Sequence, residues 1–170
     1  MSRQSAVWVF VAMGSNIDPE RRMLQAARAL GHHFVGARFS SCYRNPAFGF
    51  KGPDFINAVA GFQSALPPAQ LLQITHEIEA QCGREASAPR WVPRAMDLDL
   101  LLYGNVVGEG PGYTLPRPDL LQRVYMLGPL AELAPSLIYP PAGPTIGELW
   151  QRFPYREHTL EPLPLNLNAA

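Results

Sequence analysis

Two aspartates two residues apart, with arginines just ahead of them, are the side chains in this sequence best suited to chemistry. Residues 84–103 read REASAPRWVPRAMDLDLLLY. Within them Met96, Leu98, Leu100 and Leu102 alternate with Asp97, Asp99, Leu101 and Tyr103, a period of two that predicts a β-strand. Residues two apart on a strand share a face, roughly 6–7 Å apart. Asp97 and Asp99 therefore stand side by side while leucines anchor the opposite face. Adjacent carboxylates repel unless a cation lies between them. Oxygen-only ligation by one or two carboxylates suits Mg²⁺, which keeps waters and completes its shell with substrate phosphates. Arg84, Arg90 and Arg94 supply the complementary half, because guanidinium stays charged and grips phosphate bidentately. Trp91 shares the window. The chemistry implied is a polyphosphate held in Mg²⁺ form. The plainer alternative is a solvated strand face whose charges pair locally.

The elements that must position these residues follow in order. Val7 to Met13 is a short apolar run, read as a strand buried on both faces and broken by Gly14-Ser15-Asn16. Asp18 is an N-cap candidate and Pro19 fits the first helical position. Met23, Ala26, Ala27 and Leu30 then form the buried stripe of a helix ending at Gly31. Arg21 and Arg22 read as solvated or as ligand contacts. Phe34 to Arg44 reads as a second strand and Phe55 to Phe62 as a third, with Ile56, Ala58, Ala60 and Phe62 on one face and Asn57 on the other. Between them Asn45 to Asp54 is a Gly/Pro-rich loop whose Phe48 and Phe50 either tuck beneath it or line a pocket for a flat ligand.

Pro67-Pro68 opens a second helix with Leu71, Thr75, Ile78 and Cys82 inward and Gly83 at its end. His76 and Glu79 lie three apart on it, a spacing compatible with a metal pair or with a polar rim. After the Asp-bearing strand come a glycine-rich excursion at Val106 to Tyr113, a loop at Thr114 to Asp119, and a helix from Arg123 to Ala134. Thr145 caps a last short helix, and the final PLPLNLNAA has no period and reads as a loose tail. The order strand, helix, strand, strand, helix, strand predicts an α+β fold with a ferredoxin-like βαββαβ core. That fold has a largely antiparallel sheet, two helices on one face and additional C-terminal helices elsewhere. Residues 1–153 read as one domain and 154–170 as the tail.

Composition narrows the class. The chain has 170 residues, 47% hydrophobic and 16% charged, with a formal net charge of zero. Nothing global recruits nucleic acid or anionic lipid, so phosphate recognition must come from local clusters. Cys42 and Cys82 form no zinc spacing, and the N-terminal apolar run is too short to span a membrane. The expectation is a cytoplasmic protein working on small molecules, with no nucleic acid or membrane partner, as a monomer.

Five segments carry a resemblance: VAMGSN (Val11 to Asn16), YRNPAFG (Tyr43 to Gly49), DFINAV (Asp54 to Val59), RWVPRAMDLDLLLYG (Arg90 to Gly104) and LPRPDLLQRVYMLGPLAELAP (Leu115 to Pro135). Together they resemble the 6-hydroxymethyl-7,8-dihydropterin pyrophosphokinase family over nearly the whole chain up to Trp150. The resemblance implies transfer of a pyrophosphoryl group from the co-substrate ATP to the pterin hydroxymethyl oxygen, releasing AMP. It implies that Asp97 and Asp99 hold two Mg²⁺ ions and that Arg84 and Arg94 clamp the phosphates as catalytic residues. Arg117 and Arg123 reach the nucleotide, Thr114 and Leu98 border adenine, and His76 and Glu79 join the nucleotide side. The pterin lies against Phe55 or Tyr125. Asn57 and the backbone of Asn45, Pro46 and Ala47 read its edge, while Trp91 closes over the site.

This sequence departs from the family's pattern at several positions. Arg117 stands where the family has histidine, His76 where it has glutamine, and Ala86 where it has a second loop arginine. Tyr125 replaces a common phenylalanine, and Pro46-Ala47 replaces Pro-Pro. Two further readings stay open at the level of sequence: a paralogue acting on a modified pterin, and a ferredoxin-like module that binds nucleotide without catalysis.

Overall fold

The structure, a computed structural model, describes residues 5–47, 51–83, 95–154 and 160–170. Arg84, Ala86, Arg90, Trp91 and Arg94 lie outside them, as do Phe48 and Phe50. The chain runs β1 (Val7–Ser15), α1 (Pro19–His33), β2 (Arg38–Phe39), β3 (Cys42–Asn45), β4 (Phe55–Ser64), α2 (Pro68–Gln81) and β5 (Asp97–Tyr103). A ribbon of β6 (Gly108–Gly110) and β7 (Tyr113–Leu115) follows, then α3 (Val124–Leu133), α4 (Ile146–Gln151) and β8 (Glu161–Leu163). The main sheet has the order β5-β1-β4-β3-β8, with β2 also paired to β4, and every pairing is antiparallel. The expected βαββαβ core is present, with its four core strands in the order fourth, first, third, second.

The two faces of the sheet make two cores. Val9, Val11, Met13, Ile56, Ala58, Phe62, Leu98 and Leu100 meet Met23, Ala26, Leu30, Leu71 and Ile78 of α1 and α2 in the first. There Phe34 stacks on Phe62 with ring centroids 3.9 Å apart. Phe10, Ala12, Val59, Leu101 and Leu102 meet Met126, Leu127 and Leu130 of α3 in the second. Burial of these side chains is the main stabilising term, at about 1.5–3 kcal/mol for each large one.

Local departures from the sequence reading have physical causes. Leu102, expected on the face of Leu98 and Leu100, lies in the other core. The β1–β5 register shifts between Phe10 and Val11, and such a bulge reverses the alternation beyond it. The strand expected over Phe34 to Arg44 is broken into β2 and β3. Ser40 occupies the gap: its N–H donates to Val59 O (2.9 Å) and its Oγ accepts from Val59 N–H (2.9 Å). Asp18 precedes α1 in a left-handed conformation (φ 47°) and makes no cap bond; its carboxylate instead takes Arg21 Nε at 2.6 Å. α1 continues past Gly31 to His33.

The end of the chain, expected to be loose, is docked. β8 pairs with β3, with Leu163 opposite Cys42 and Glu161 opposite Arg44. Leu167 is buried in the first core. Asn168 brackets Phe39, accepting from its N–H at 3.0 Å and donating to its carbonyl at 2.9 Å. No helix among the described residues is long and apolar enough to cross a membrane.

Candidate active site

Register across the sheet assembles the site. Gly14 of β1 lies opposite Asp97 of β5 on one side and Asn57 of β4 on the other. Asn57 in turn lies opposite Tyr43 of β3. Directly paired residues share a face, so Asp97, Gly14, Asn57 and Tyr43 form one row. Asp99, Ala12 and Val59 form the next row on that face. It is the face covered further along by α3, whose partners Ala12 and Val59 are in the second core. Asp97 and Asn57 are two strand spacings apart, roughly 10 Å. Gly14 is the floor between them: a Cβ there would lie 2.8 Å from Asn57 Oδ1 and 3.7 Å from Phe55 Cδ1.

At the acidic end Asp97 and Asp99 are half-buried while Leu98 between them is buried. Leu98 sends its side chain into the first core. Its N–H donates to Glu79 Oε2 at 3.1 Å. Glu79 is 5% exposed, so α2 holds the middle of the carboxylate pair through a buried acceptor. Glu79 and His76 therefore do not make a ligand pair. His76 is exposed and lines a groove of about 500 Å³ with Leu72, Gln73, Pro111 and Gly112, between α2 and the β6–β7 ribbon. Thr114, expected in a loop, is exposed on β7 opposite Glu109.

Arg117 is fixed beside β5 by its backbone, whose N–H donates to Leu101 O at 2.9 Å. Its guanidinium lies 3.5 Å from Asp99 Oδ1 through Nη1 and 3.5 Å from Asp119 Oδ2 through Nη2. Arg123 precedes α3 and donates its backbone N–H to Asp119 O at 3.0 Å. The phenol of Tyr125 is pushed above its ordinary range by burial. Arg123 and Arg117 oppose that shift, and Asp119 and Asp99 add to it. Tyr125 thus belongs to the same electrostatic neighbourhood.

At the other end Asn57 Nδ2 donates to Asn45 Oδ1, and Asn45 Nδ2 donates to Pro46 O at 3.2 Å. Both amides are 6% exposed, which fixes two polar edges beside Phe55 in a nearly dry setting. Ser15 Oγ donates to Ala95 O at 2.5 Å, and Asn16 Nδ2 donates to Pro53 O at 3.1 Å. These two residues read from sequence as a turn. They tie the end of β1 to the segments leading into β5 and β4. Sequence alone assigns Gly14 and Asp119 no role in the site, although both lie in segments that carry the resemblance, VAMGSN and LPRPDLLQRVYMLGPLAELAP. A glycine in a Gly-Ser-Asn break and an aspartate in a Pro-rich loop carry no chemical signal of their own.

The donor set fits Mg²⁺ better than a transition metal. No cluster of three His, Cys, Asp or Glu gathers among the described residues. Two half-buried carboxylates on one strand face offer hard oxygen ligands and leave the rest of the shell to water and phosphate.

The sequence profile described as 7,8-dihydro-6-hydroxymethylpterin-pyrophosphokinase matches residues 10–135. A Synechocystis 2-amino-4-hydroxy-6-hydroxymethyldihydropteridine pyrophosphokinase is 40% identical over 142 residues, covering 82% of this chain and 72% of its own. The Pseudomonas aeruginosa protein of that name is 36% identical over 136 residues, covering 78% and 83%. The fold is similar to that of wild-type Plasmodium falciparum HPPK-DHPS, with a TM-score of 0.64 and 10% identity. That match covers 89% of this chain, which spans 46% of the Plasmodium one.

Proposed function

The chain belongs to the 7,8-dihydro-6-hydroxymethylpterin-pyrophosphokinase family, whose reaction moves a pyrophosphoryl group from ATP to a hydroxymethyldihydropterin in folate biosynthesis, and we propose that the row from Asp97 to Asn57 is where this chain performs it. The observation that carries the assignment is the register. One sheet face presents a carboxylate pair and a buried amide pair, two strand spacings apart, across a glycine floor. A charged triphosphate and a flat heterocycle need that division.

Asn57 and Asn45 read the polar edge of the pterin, and Phe55 and Tyr125 offer flat apolar surface to its ring. Asp97 and Asp99 would hold Mg²⁺, which when bound supplies positive charge along the triphosphate. Arg117 and Arg123 face the phosphates from the α3 side and offer them planar guanidinium groups. In the reaction the hydroxymethyl oxygen bonds to the β-phosphorus, the bridge to the α-phosphate breaks, and AMP leaves with the electron pair. The hydroxyl proton passes to solvent or a leaving oxygen. The chain's contribution is orientation and fixed charge; Leu98, locked by Glu79, keeps the carboxylates from drifting.

The test is a product assay with Mg²⁺-ATP and 6-hydroxymethyl-7,8-dihydropterin. AMP formed only when the pterin is present is the expected result. ADP would mean single phosphoryl transfer and would overturn the proposal. Asp97→Asn with Asp99→Asn should abolish AMP formation while circular dichroism stays native.

A further inference from the structure

The position of Arg117 has a consequence for metal entry. Its guanidinium spans Asp99 and Asp119 at 3.5 Å each, through different nitrogens. Its backbone is anchored to β5 by the bond from its N–H to Leu101 O, so the side chain swings from a fixed root. Its Nε is buried without a hydrogen-bond partner among the described residues. A buried donor left unpaired is costly, so this pose is not the one that best satisfies the group. A phosphate, taking two parallel N–H bonds, would satisfy it better.

We infer that Arg117 is a resident counter-cation of Asp99, which a divalent ion must displace and which moves to phosphate when nucleotide binds. The inference rests on the reading of Asp97 and Asp99 as the metal carboxylates. A permanent cation at 3.5 Å occupies the charge that Mg²⁺ would neutralise, so metal alone meets a site already compensated. Asp119 keeps the arginine paired once it lets go of Asp99. Metal and nucleotide then bind with positive coupling, and the coupling is reciprocal. The pair is partly exposed, with side-chain accessibilities of 31% for Arg117 and 24% for Asp99. Its worth is therefore that of a screened ion pair, equivalent to about two- to fivefold in affinity.

The experiment is titration with Mn²⁺, following the free ion by electron paramagnetic resonance, with and without a non-hydrolysable ATP analogue. Without nucleotide, Arg117→Gln should bind Mn²⁺ about two- to fivefold more tightly than wild type. Arg117→Lys, which keeps the charge, should stay within twofold, as should Arg28→Gln, which makes the same charge change on the exposed side of α1. With the analogue present, the gain in Mn²⁺ affinity should be smaller in Arg117→Gln than in wild type. Equal nucleotide-free affinity in wild type and Arg117→Gln overturns the inference, as does an equal rise in Arg28→Gln. The Asp97→Asn/Asp99→Asn variant separates the two levels. If it binds Mn²⁺ with the analogue as wild type does, the metal assignment itself fails. If it loses Mn²⁺ while Arg117→Gln matches wild type, only the role of Arg117 fails.

Discussion

Replacing Gly14 with alanine adds one methyl group at the centre of the proposed site, and the structure sets the sign of its effect. The new Cβ would lie 2.8 Å from Asn57 Oδ1 and 3.7 Å from Phe55 Cδ1. The second distance is ordinary contact; the first requires Asn57 to move. Asn57 is 6% exposed and bonded to Asn45, so moving it strands two buried amides. That costs about 1–3 kcal/mol. Gly14 does not have a left-handed backbone, so alanine is conformationally allowed there and recovers about 0.5–1 kcal/mol of chain entropy. The net expectation is a destabilisation of about 0.5–2 kcal/mol, read by urea unfolding. Pterin affinity, read by calorimetry, should fall about tenfold or more, since each 1.4 kcal/mol is tenfold.

The decisive comparison is a double-mutant cycle. In an Asn57→Ala background the obstructing oxygen is gone, so Gly14→Ala should become neutral or stabilising by about 0.5–1 kcal/mol. A reversal of sign between backgrounds is the signature of this contact. Equal destabilisation in both would refute the reasoning, since the cost would then come from elsewhere in the sheet. ATP affinity should stay within twofold throughout; a parallel loss would mean the row is not divided into acidic and amide ends.

Glu79→Leu should cost about 1–3 kcal/mol by leaving Leu98 N–H without its acceptor, and Glu79→Gln, which keeps an acceptor oxygen, should cost less by urea unfolding. Leu167→Ala should destabilise by about 2–5 kcal/mol, the range for truncating a core leucine, read by urea unfolding. Removal of residues 160–170 should raise the pterin KM while leaving ATP affinity within twofold, since β8 braces the strand that carries Asn45. Arg117→His should make ATP affinity fall as pH rises through about 6.5, where imidazolium loses its charge, if position 117 meets the phosphates as proposed; a pH-independent affinity in that variant would refute the contact. Cys42 is pushed up to about 12 by burial and then by Glu132, and Cys82 is raised by burial despite Arg22. Both thiols should resist a disulfide reagent at pH 8 in the native protein and react after denaturation. Because the folded thiol holds its proton more tightly, the stability Cys42 contributes is present below pH 9 and lost as pH rises towards 12.

What could be read from sequence was what local periodicity controls. Asp97 and Asp99 share a face because side chains alternate along any strand, and the stripe of Met23, Ala26, Ala27 and Leu30 is buried as its spacing requires. What could not be read depends on partners distant in the chain. Leu102 changes face because β5 carries one extra residue, Leu101, opposite the Phe10–Val11 step of β1. His76 and Glu79 look equivalent on one helix, yet β5 packs against only the second and buries it. The last residues lack a period because β8 is a three-residue edge strand containing a proline. So short and proline-interrupted a strand has no room for alternation, and its pairing with β3 is a tertiary fact. The same holds for the site itself. Gly14 has no side chain to offer chemistry, yet it is the residue that leaves Asn57 room beside the carboxylate row. Its importance appears only when β1, β4 and β5 are set in register, because the constraint is on the space between side chains rather than on any one of them.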